Sequence, residues 1–137
     1  MSLVIDASMT IAWLFSDERS DAPQKILRRV AAEGALVPSL WRLEIANVLR
    51  NAVRQKRCNT GYATRCLERL GRLQIIVDAE TDRHAWSQTH LLSNEHDLTL
   101  YDAAYLELAL RRSRPLASRD AALIKAAKAA DVEMLGD

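Results

Sequence analysis

Five short apolar runs, separated by segments of helical length, constrain the fold of this 137-residue chain more than any other feature. Each run is three or four residues long, as expected for strands buried on both faces of a sheet. The runs lie at 2–5, 35–37, 74–77, 115–117 and 132–135. Strands that alternate with helices predict an α/β fold with three layers, α/β/α, around a five-stranded, mainly parallel sheet.

The segments between the runs predict seven helices, at about 9–15, 20–32, 40–56, 59–73, 81–94, 101–110 and 120–130. Ser20 or Asp21 is expected to cap the second of them. Trp86 is expected to pack within the helix at 81–94. The segment 101–110 is apolar nearly all round, which predicts a helix buried against the sheet.

The composition predicts one cytoplasmic domain that spans residues 1–137. Apolar residues make up 49% of the chain, which is enough for a core. No apolar stretch approaches the roughly 20 residues that span a bilayer, and the chain opens on a strand-like run rather than a signal peptide. Two cysteines without CxxC spacing fit a reducing compartment.

The charged residues nearly balance, at a net charge of +1, which excludes the global basic field of many nucleic-acid binders. Of 19 basic residues 15 are arginine, a side chain suited to bidentate recognition of phosphate or carboxylate. Arginine clusters at 50–57, 65–72 and 111–114 either cover solvated helix faces or line a phosphate track. Glu107 and Arg111 have the spacing of an i,i+4 ion pair.

Four acidic residues follow apolar runs or begin helices: Asp6, Glu44, Asp102 and Asp120. Because parallel strands end on one edge of a sheet, where ligands bind, we expect these side chains to lie close together. Two unit charges about 5 Å apart repel by roughly 3 kcal/mol at an effective dielectric near 20. Such a cluster is expected to hold a hard divalent cation.

Each acid also has a simpler interpretation when it is taken alone. Asp6 would merely end a strand, and Asp102 or Asp120 would cap the helix that it begins. Glu44 would pair with Arg50 or Arg54.

The motifs around the four acids resemble the PIN domain, and within it the ribonuclease toxins of the VapBC toxin–antitoxin type. They are Asp-Ala-Ser at 6–8, Glu-x-x-Asn at 44–47, Leu-Thr-x-Tyr-Asp-Ala-x-Tyr-Leu-x-Leu-Ala at 98–109 and Ser-x-Asp-x-x-Leu at 118–123. The resemblance covers essentially the whole chain in the family's order. It implies a metal-dependent endoribonuclease, the toxin of a type II toxin–antitoxin system.

By matching motif, the resemblance assigns the metal site to Asp6, Glu44, Asp102 and Asp120. Because Mg²⁺ usually binds through one or two carboxylates and keeps several waters, we expect Asp6 and Asp102 to bind Mg²⁺, or Mn²⁺ in its place. Glu44 and Asp120 would hold metal-bound water or a second ion. Three polar residues would orient these groups: Ser8, Asn47 and Ser118. Arg119, beside the site, would contact RNA phosphate or form a surface ion pair.

The partners that the resemblance implies are a tRNA or rRNA substrate and a VapB-like antitoxin, with a toxin homodimer and toxin–antitoxin hetero-oligomers. Trp13 and Trp41 would wall the antitoxin groove or simply pack. Two other functions compete. A phosphoacceptor domain would need paired acids after the first strand, an acceptor aspartate after a central strand and a lysine at the end of a late strand. Asp6 stands alone, Asp78 has no acidic neighbours before it, and no lysine ends the run at 115–117. A PIN fold that binds RNA without cutting would be expected to have lost a ligand.

Overall fold

The sheet of the computed structural model, which describes residues 1–15 and 21–136, is parallel throughout. Its strand order is β3-β2-β1-β4-β5. The strands are β1 (Leu3–Ile5), β2 (Ala35–Val37), β3 (Ile75–Val77), β4 (Leu116–Ala117) and β5 (Met134–Leu135). The predicted α/β class and five-stranded sheet are confirmed, with each strand at one of the predicted runs.

Eight helices lie within the described residues. They are α1 (Ala7–Leu14), α2 (Asp21–Glu33), α3 (Trp41–Arg54), α4 (Thr60–Gly71), α5 (Thr81–His84), α6 (Gln88–His96), α7 (Leu100–Arg112) and α8 (Ala121–Ala129). Asp21 begins α2, whereas Ser20, the other predicted cap, lies outside the described residues. No helix in the described ranges combines the length and the apolar character needed to cross a membrane.

The order of the strands determines which helices cover which face. The chain moves outward from β1 through β2 to β3, and then returns to β4 and β5 on the other side of β1. Because crossovers between parallel strands are right-handed, this reversal places the helices of the two halves on opposite faces, which gives three layers. The connections that follow β1 and β4 lead to opposite faces of the sheet, because the strand order reverses between these two strands. The crevice at such a reversal is the usual binding site of an open α/β sheet.

Helix α7 is buried against the sheet, as predicted, and lies below this crevice. All seven side chains from Ala103 to Ala109 are buried, and α7 contacts both β1 and β4. Burying one leucine fully stabilises a fold by roughly 1.5–3 kcal/mol, and Leu106 and Leu108 are both 0% exposed. The helix is therefore a rigid part of the core, and its first turn lies at the edge where the strands end.

The single helix predicted at 81–94 is wrong, because the chain forms two helices there. Ser87 leaves the helical region of the backbone, with φ −116° and ψ −101°, and α6 then packs along α7. The predicted packing of Trp86 is wrong for the same reason. Its side chain lies in the turn between α5 and α6 and is 95% exposed.

Candidate active site at the carboxyl edge of the sheet

Asp6 follows β1 and begins α1, so that one buried carboxylate serves both elements. Its Oδ1 accepts hydrogen bonds from the Met9 amide at 2.9 Å and the Ser8 hydroxyl at 2.8 Å. Its Oδ2 accepts from the Ser118 hydroxyl at 2.6 Å and lies 2.9 Å from the Ser8 hydroxyl. Asp6 therefore bridges the crevice, since Ser118 follows β4 on the other side.

The hydroxyls of Ser8 and Ser118 also hold the loop after β4. Ser8 Oγ accepts from the Arg119 amide at 2.9 Å, and Ser118 Oγ accepts from the Asp120 amide at 3.0 Å. The two oxygens lie 3.4 Å apart. The two serines therefore orient the Asp6 carboxylate and fix the chain that leads to Asp120.

Asp120 caps α8, because its Oδ2 accepts from the Leu123 amide at 2.9 Å. The interpretation of Asp120 as the cap of its helix is therefore confirmed. Capping uses only one carboxylate oxygen, however, and Oδ1 has no hydrogen-bond partner among the described residues. A cap of this kind leaves Asp120 able to bind a further group.

Asp102 is not the cap of its helix. Thr99 caps α7, and its hydroxyl accepts from the Asp102 amide at 3.1 Å. Asp102 lies half-buried in the first turn of α7. An anion is stabilised there by about 0.3–1 kcal/mol through the helix dipole.

Glu44 lies in the first turn of α3 and contacts a residue that the sequence did not single out. Its Oε1 accepts from the Tyr105 hydroxyl on α7 at 2.5 Å. The alternative pairing with Arg50 or Arg54 is wrong, because no such ion pair forms within the described residues. The sequence could have indicated Tyr105 as a site residue, because it lies three residues after Asp102 and therefore on the same face of α7.

The other two predicted residues lie at the periphery. Asn47 is exposed on α3, one turn after Glu44. Arg119 is exposed between Ser118 and Asp120, and its backbone amide rather than its guanidinium makes the contact with Ser8. Their roles in orienting a ligand and in binding RNA stay predictions.

The electrostatics of the acids show that they form one cluster. Burial raises the pKa of Asp6 to about 6, even though Ser118, Met9 and Ser8 donate to it, and the charge of Asp102 adds to the rise. Burial also raises the pKa of Glu44, against the Tyr105 hydrogen bond and with help from the charges of Asp102 and Asp6. Burial and the charge of Asp120 raise the pKa of Asp102.

No cation of the described chain neutralises this cluster. The ion pairs formed within residues 1–15 and 21–136 include none of the four acids. No three His, Cys, Asp or Glu side chains of these ranges are close enough to enclose an ion by themselves. The donor set is all oxygen and partly open, which fits a hydrated Mg²⁺ held by one or two carboxylates better than a closed protein cage.

A second group of acids lies where α5, α7 and the end of β3 meet. Asp78, 3% exposed, accepts from Arg111 Nη2 at 2.6 Å and from Nη1 at 3.2 Å. The predicted pair of Glu107 and Arg111 is confirmed, at 2.7 Å between Oε2 and Nε. Although burial favours its neutral form, hydrogen bonds from Arg111 and Thr81 hold the pKa of Asp78 below its usual value. Asp78, bound in this way, is not open to a phosphoryl donor, which counts against a phosphoacceptor domain.

Comparisons with known proteins agree with this architecture. Ribonuclease VapC3 of Pyrobaculum aerophilum is 28% identical over 131 residues, which cover 90% of this chain and 98% of the relative. The crystal structure of PAE2754 from the same organism has a TM-score of 0.71 at 22% identity, over 98% of this chain and 83% of that one.

The crystal structure of Mycobacterium tuberculosis VapC20, described as a sarcin-ricin loop cleaving toxin, has a TM-score of 0.59 at 16% identity. It covers 91% of this chain and 95% of that one. The profile of the PIN domain matches residues 3–129, nearly the whole chain. The chain therefore belongs to the PIN domain family.

Proposed function

We propose that this protein is a Mg²⁺-dependent endoribonuclease, with Mn²⁺ as a substitute, and the toxin of a cytoplasmic type II toxin–antitoxin system. The observation that carries the proposal is the uncompensated acid cluster at the switch point of the sheet. Three of its members have a raised pKa, and no cation within the described residues is paired with any of them. A divalent cation from solution would pair with these acids and would lower their pKa values.

The residues of the chain suggest a division of labour. Asp6 and Asp102 would hold the ion, and Ser8 and Ser118 keep the Asp6 carboxylate in place. A divalent cation bound there would lower the pKa of a coordinated water and would offset the charge that develops at phosphorus. Glu44, whose pKa is raised by burial and by the charges of Asp102 and Asp6, would take the proton of the attacking water.

The names of the relatives support the substrate class and the partner. VapC3 is named a ribonuclease and VapC20 a toxin that cleaves the sarcin-ricin loop. For this chain we propose a tRNA or rRNA substrate, a VapB-like antitoxin and a toxin homodimer that joins the antitoxin in hetero-oligomers.

We propose one surface for the antitoxin. A cavity of about 340 Å³ between α3 and α4 is lined mostly by apolar side chains, which include Trp41, Ile45, Leu67 and Leu70, and also by Arg42. An apolar groove of this kind accepts the apolar face of a helix. Trp13, the other predicted wall, packs instead in the core, where its indole nitrogen donates to the Pro23 carbonyl at 2.9 Å.

The proposal is tested by incubating end-labelled total tRNA and rRNA with the purified protein in Mg²⁺, in Mn²⁺ and in EDTA. Asp102→Asn is the site variant, and Asp82→Asn, which changes an exposed acid on α5, is the matched control. We expect discrete cuts that require the ion, persist in the control and vanish in the site variant.

Two results would contradict the proposal. Cuts that persist in EDTA or in Asp102→Asn would come from another nuclease. RNA that binds without being cut under any divalent ion, in protein shown by mass spectrometry to be free of a co-purified antitoxin, would identify a binding domain instead.

A further inference from the structure

Tyr105 is the largest fully buried side chain of the described protein, and its only polar atom faces the acid cluster. The residue is 1% exposed, and its hydroxyl donates to Glu44 Oε1 at 2.5 Å. A buried tyrosine hydroxyl requires a partner. Here the partner lies 61 positions earlier in the chain, on a different helix.

We infer that Tyr105 is a positioning residue that fixes the Glu44 carboxylate for the reaction proposed above. A glutamate side chain rotates about three bonds and loses rotamer entropy when it is fixed. The tyrosine ring is held by the core packing of α7, so its hydroxyl offers Glu44 a stationary donor. This inference rests on the proposed function, because it assigns Glu44 a task.

The bond occupies one carboxylate oxygen and leaves the other available. Glu44 Oε2 has no hydrogen-bond or ion-pair partner among the described residues. It is therefore the oxygen that can accept a bond from a water or an ion in the site. Asp6 is held by three donors instead of one, namely the Met9 amide and the hydroxyls of Ser8 and Ser118.

The donor at this position has to be neutral for the cluster to keep its charge. A lysine or arginine would pair with Glu44 and cancel part of the field that attracts a cation. Burial and the Glu44 contact hold the pKa of Tyr105 far above its usual range, so the hydroxyl stays a donor. Tyrosine thus orders the carboxylate without neutralising it.

The position of Tyr105 on α7 also links two of the acids. Asp102 lies one turn earlier on the same helix, so the two side chains share a face. Because α7 is rigid and buried, the spacing between Asp102 and the hydroxyl that holds Glu44 is fixed. One helix therefore sets the relative placement of two catalytic acids.

The test uses Tyr105→Phe, which keeps the ring and removes the hydroxyl. Tyr101→Phe is the matched control, since Tyr101 lies on the same helix and is 66% exposed. Removing a group that orients the residues of a metal site typically costs 10- to 100-fold in activity or metal affinity. We expect kcat for RNA cleavage to fall by about that factor with KM for RNA unchanged, and Mn²⁺ affinity, measured by electron paramagnetic resonance without RNA, to fall about 10-fold.

A double-mutant cycle separates positioning from mere packing. In a Glu44→Gln background, removing the Tyr105 hydroxyl should cause no further loss of rate or Mn²⁺ affinity, because its target has already been changed. Losses that multiply in the double variant would show that Tyr105 acts on the fold and not through Glu44. Melting curves of all variants verify that each is folded. Should Tyr105→Phe not fold, Glu44→Asp, whose shorter side chain cannot keep the contact, should show the same losses.

The outcomes distinguish this inference from the proposed function. Wild-type cleavage with a folded Tyr105→Phe of equal rate and equal Mn²⁺ affinity overturns the positioning role and leaves the nuclease intact. A wild-type protein that binds Mn²⁺ and cuts no RNA overturns the nuclease, and the Mn²⁺ affinities of the single and double variants then decide on Tyr105. A wild-type protein that does neither overturns both.

Discussion

Two groups of buried acids occur in this fold, and they differ in whether the chain balances their charge. At the junction of β3, α5 and α7, Asp78 and Glu107 share Arg111, which approaches each of them within 2.7 Å. At the carboxyl edge, Asp6, Glu44 and Asp102 lie near one another without an ion-pair partner in the described chain. The pKa of Asp78 is lowered, whereas each of the other three is raised.

The difference separates a structural group from the group that we propose to be functional. A carboxylate paired with an arginine is stable as it stands and has little affinity for a further cation. A group of carboxylates whose pKa values are raised by burial, and further by one another's charge, is under strain that a cation or a proton relieves. In the sequence, both groups are simply acids near helix ends. Only the folded structure shows which group is paired with an arginine.

The largest contrast is expected in catalysis. Asp6→Asn keeps the size of the side chain and removes its charge, so the several kcal/mol that a bound ion contributes to the transition state would be lost. We expect cleavage to fall by about 10³-fold or more. Asp78→Asn should retain the wild-type rate per folded molecule. Single-turnover assays on both variants, with the folded fraction measured by circular dichroism, make the comparison. Equal losses of cleavage rate in the two variants would contradict the distinction between the two groups.

The reverse contrast is expected in stability. Arg111→Met removes the cation shared by Asp78 and Glu107 and leaves two buried acids unpaired. Breaking a buried pair in this way typically costs about 3–5 kcal/mol. Urea unfolding would measure it, with Arg112→Met as the control, because Arg112 is exposed and its replacement should stay within about 0.5 kcal/mol. An Arg111→Met protein as stable as the wild type would mean that the second group does not hold the fold together.

How much of this follows from sequence depends on whether the contacts are local. The strands follow from short apolar runs, the burial of α7 from its lack of a polar face, and the pair of Glu107 and Arg111 from i,i+4 spacing. The contact of Arg111 with Asp78 spans 33 positions and that of Tyr105 with Glu44 spans 61. Sequence periodicity carries no information about contacts between residues so far apart in the chain, because these contacts depend on how the helices pack across the sheet.

The broken helix at 81–96 shows a different limit. Local propensity favours one continuous helix, but packing along α7 turns the chain at Ser87 and leaves Trp86 in solvent. Tertiary packing overrides propensity in this way because propensity is worth only a few tenths of a kcal/mol per residue. The sequence shows the order of the four acids along the chain. It also predicts that Ser8 and Ser118 orient them, but it does not single out the Tyr105 hydroxyl.

The two groups should also respond to pH with opposite signs. The folded pKa of Asp6 is about 6, against 3.8 for the ordinary group, so the folded state binds the proton more tightly. The corresponding stability, about 3 kcal/mol, is fully present below about pH 3.8 and is lost as the pH rises through 6. Asp78 has a lowered pKa, so its contribution is present above its ordinary pKa and is lost as the pH falls.

Unfolding of wild type, Asp6→Asn and Asp78→Asn in EDTA, between about pH 4.5 and 7.5, tests these signs. Relative to Asp6→Asn, the wild type should lose about 2 kcal/mol over this range as the pH rises. Relative to Asp78→Asn it should gain stability or stay level. A stability difference from Asp6→Asn that does not change with pH would mean that Asp6 ionises normally in the folded protein and that burial does not strain the site.

The smallest effect is expected at the exposed rim of the balanced group. Glu80 is 50% exposed and lies 3.6 Å from Arg111 and 3.1 Å from Arg83. Solvent screens such contacts, and exposed ion pairs contribute about 0–1 kcal/mol. Glu80→Gln should therefore change the free energy of unfolding by less than about 0.5 kcal/mol, whereas Glu107→Gln, in a side chain 5% exposed, should cost several times more. Equal losses in the free energy of unfolding for the two replacements would contradict this expectation. They would mean that burial does not determine how much an ion pair with Arg111 stabilises the fold, and that the exposed Glu80 contributes as much as the buried Glu107.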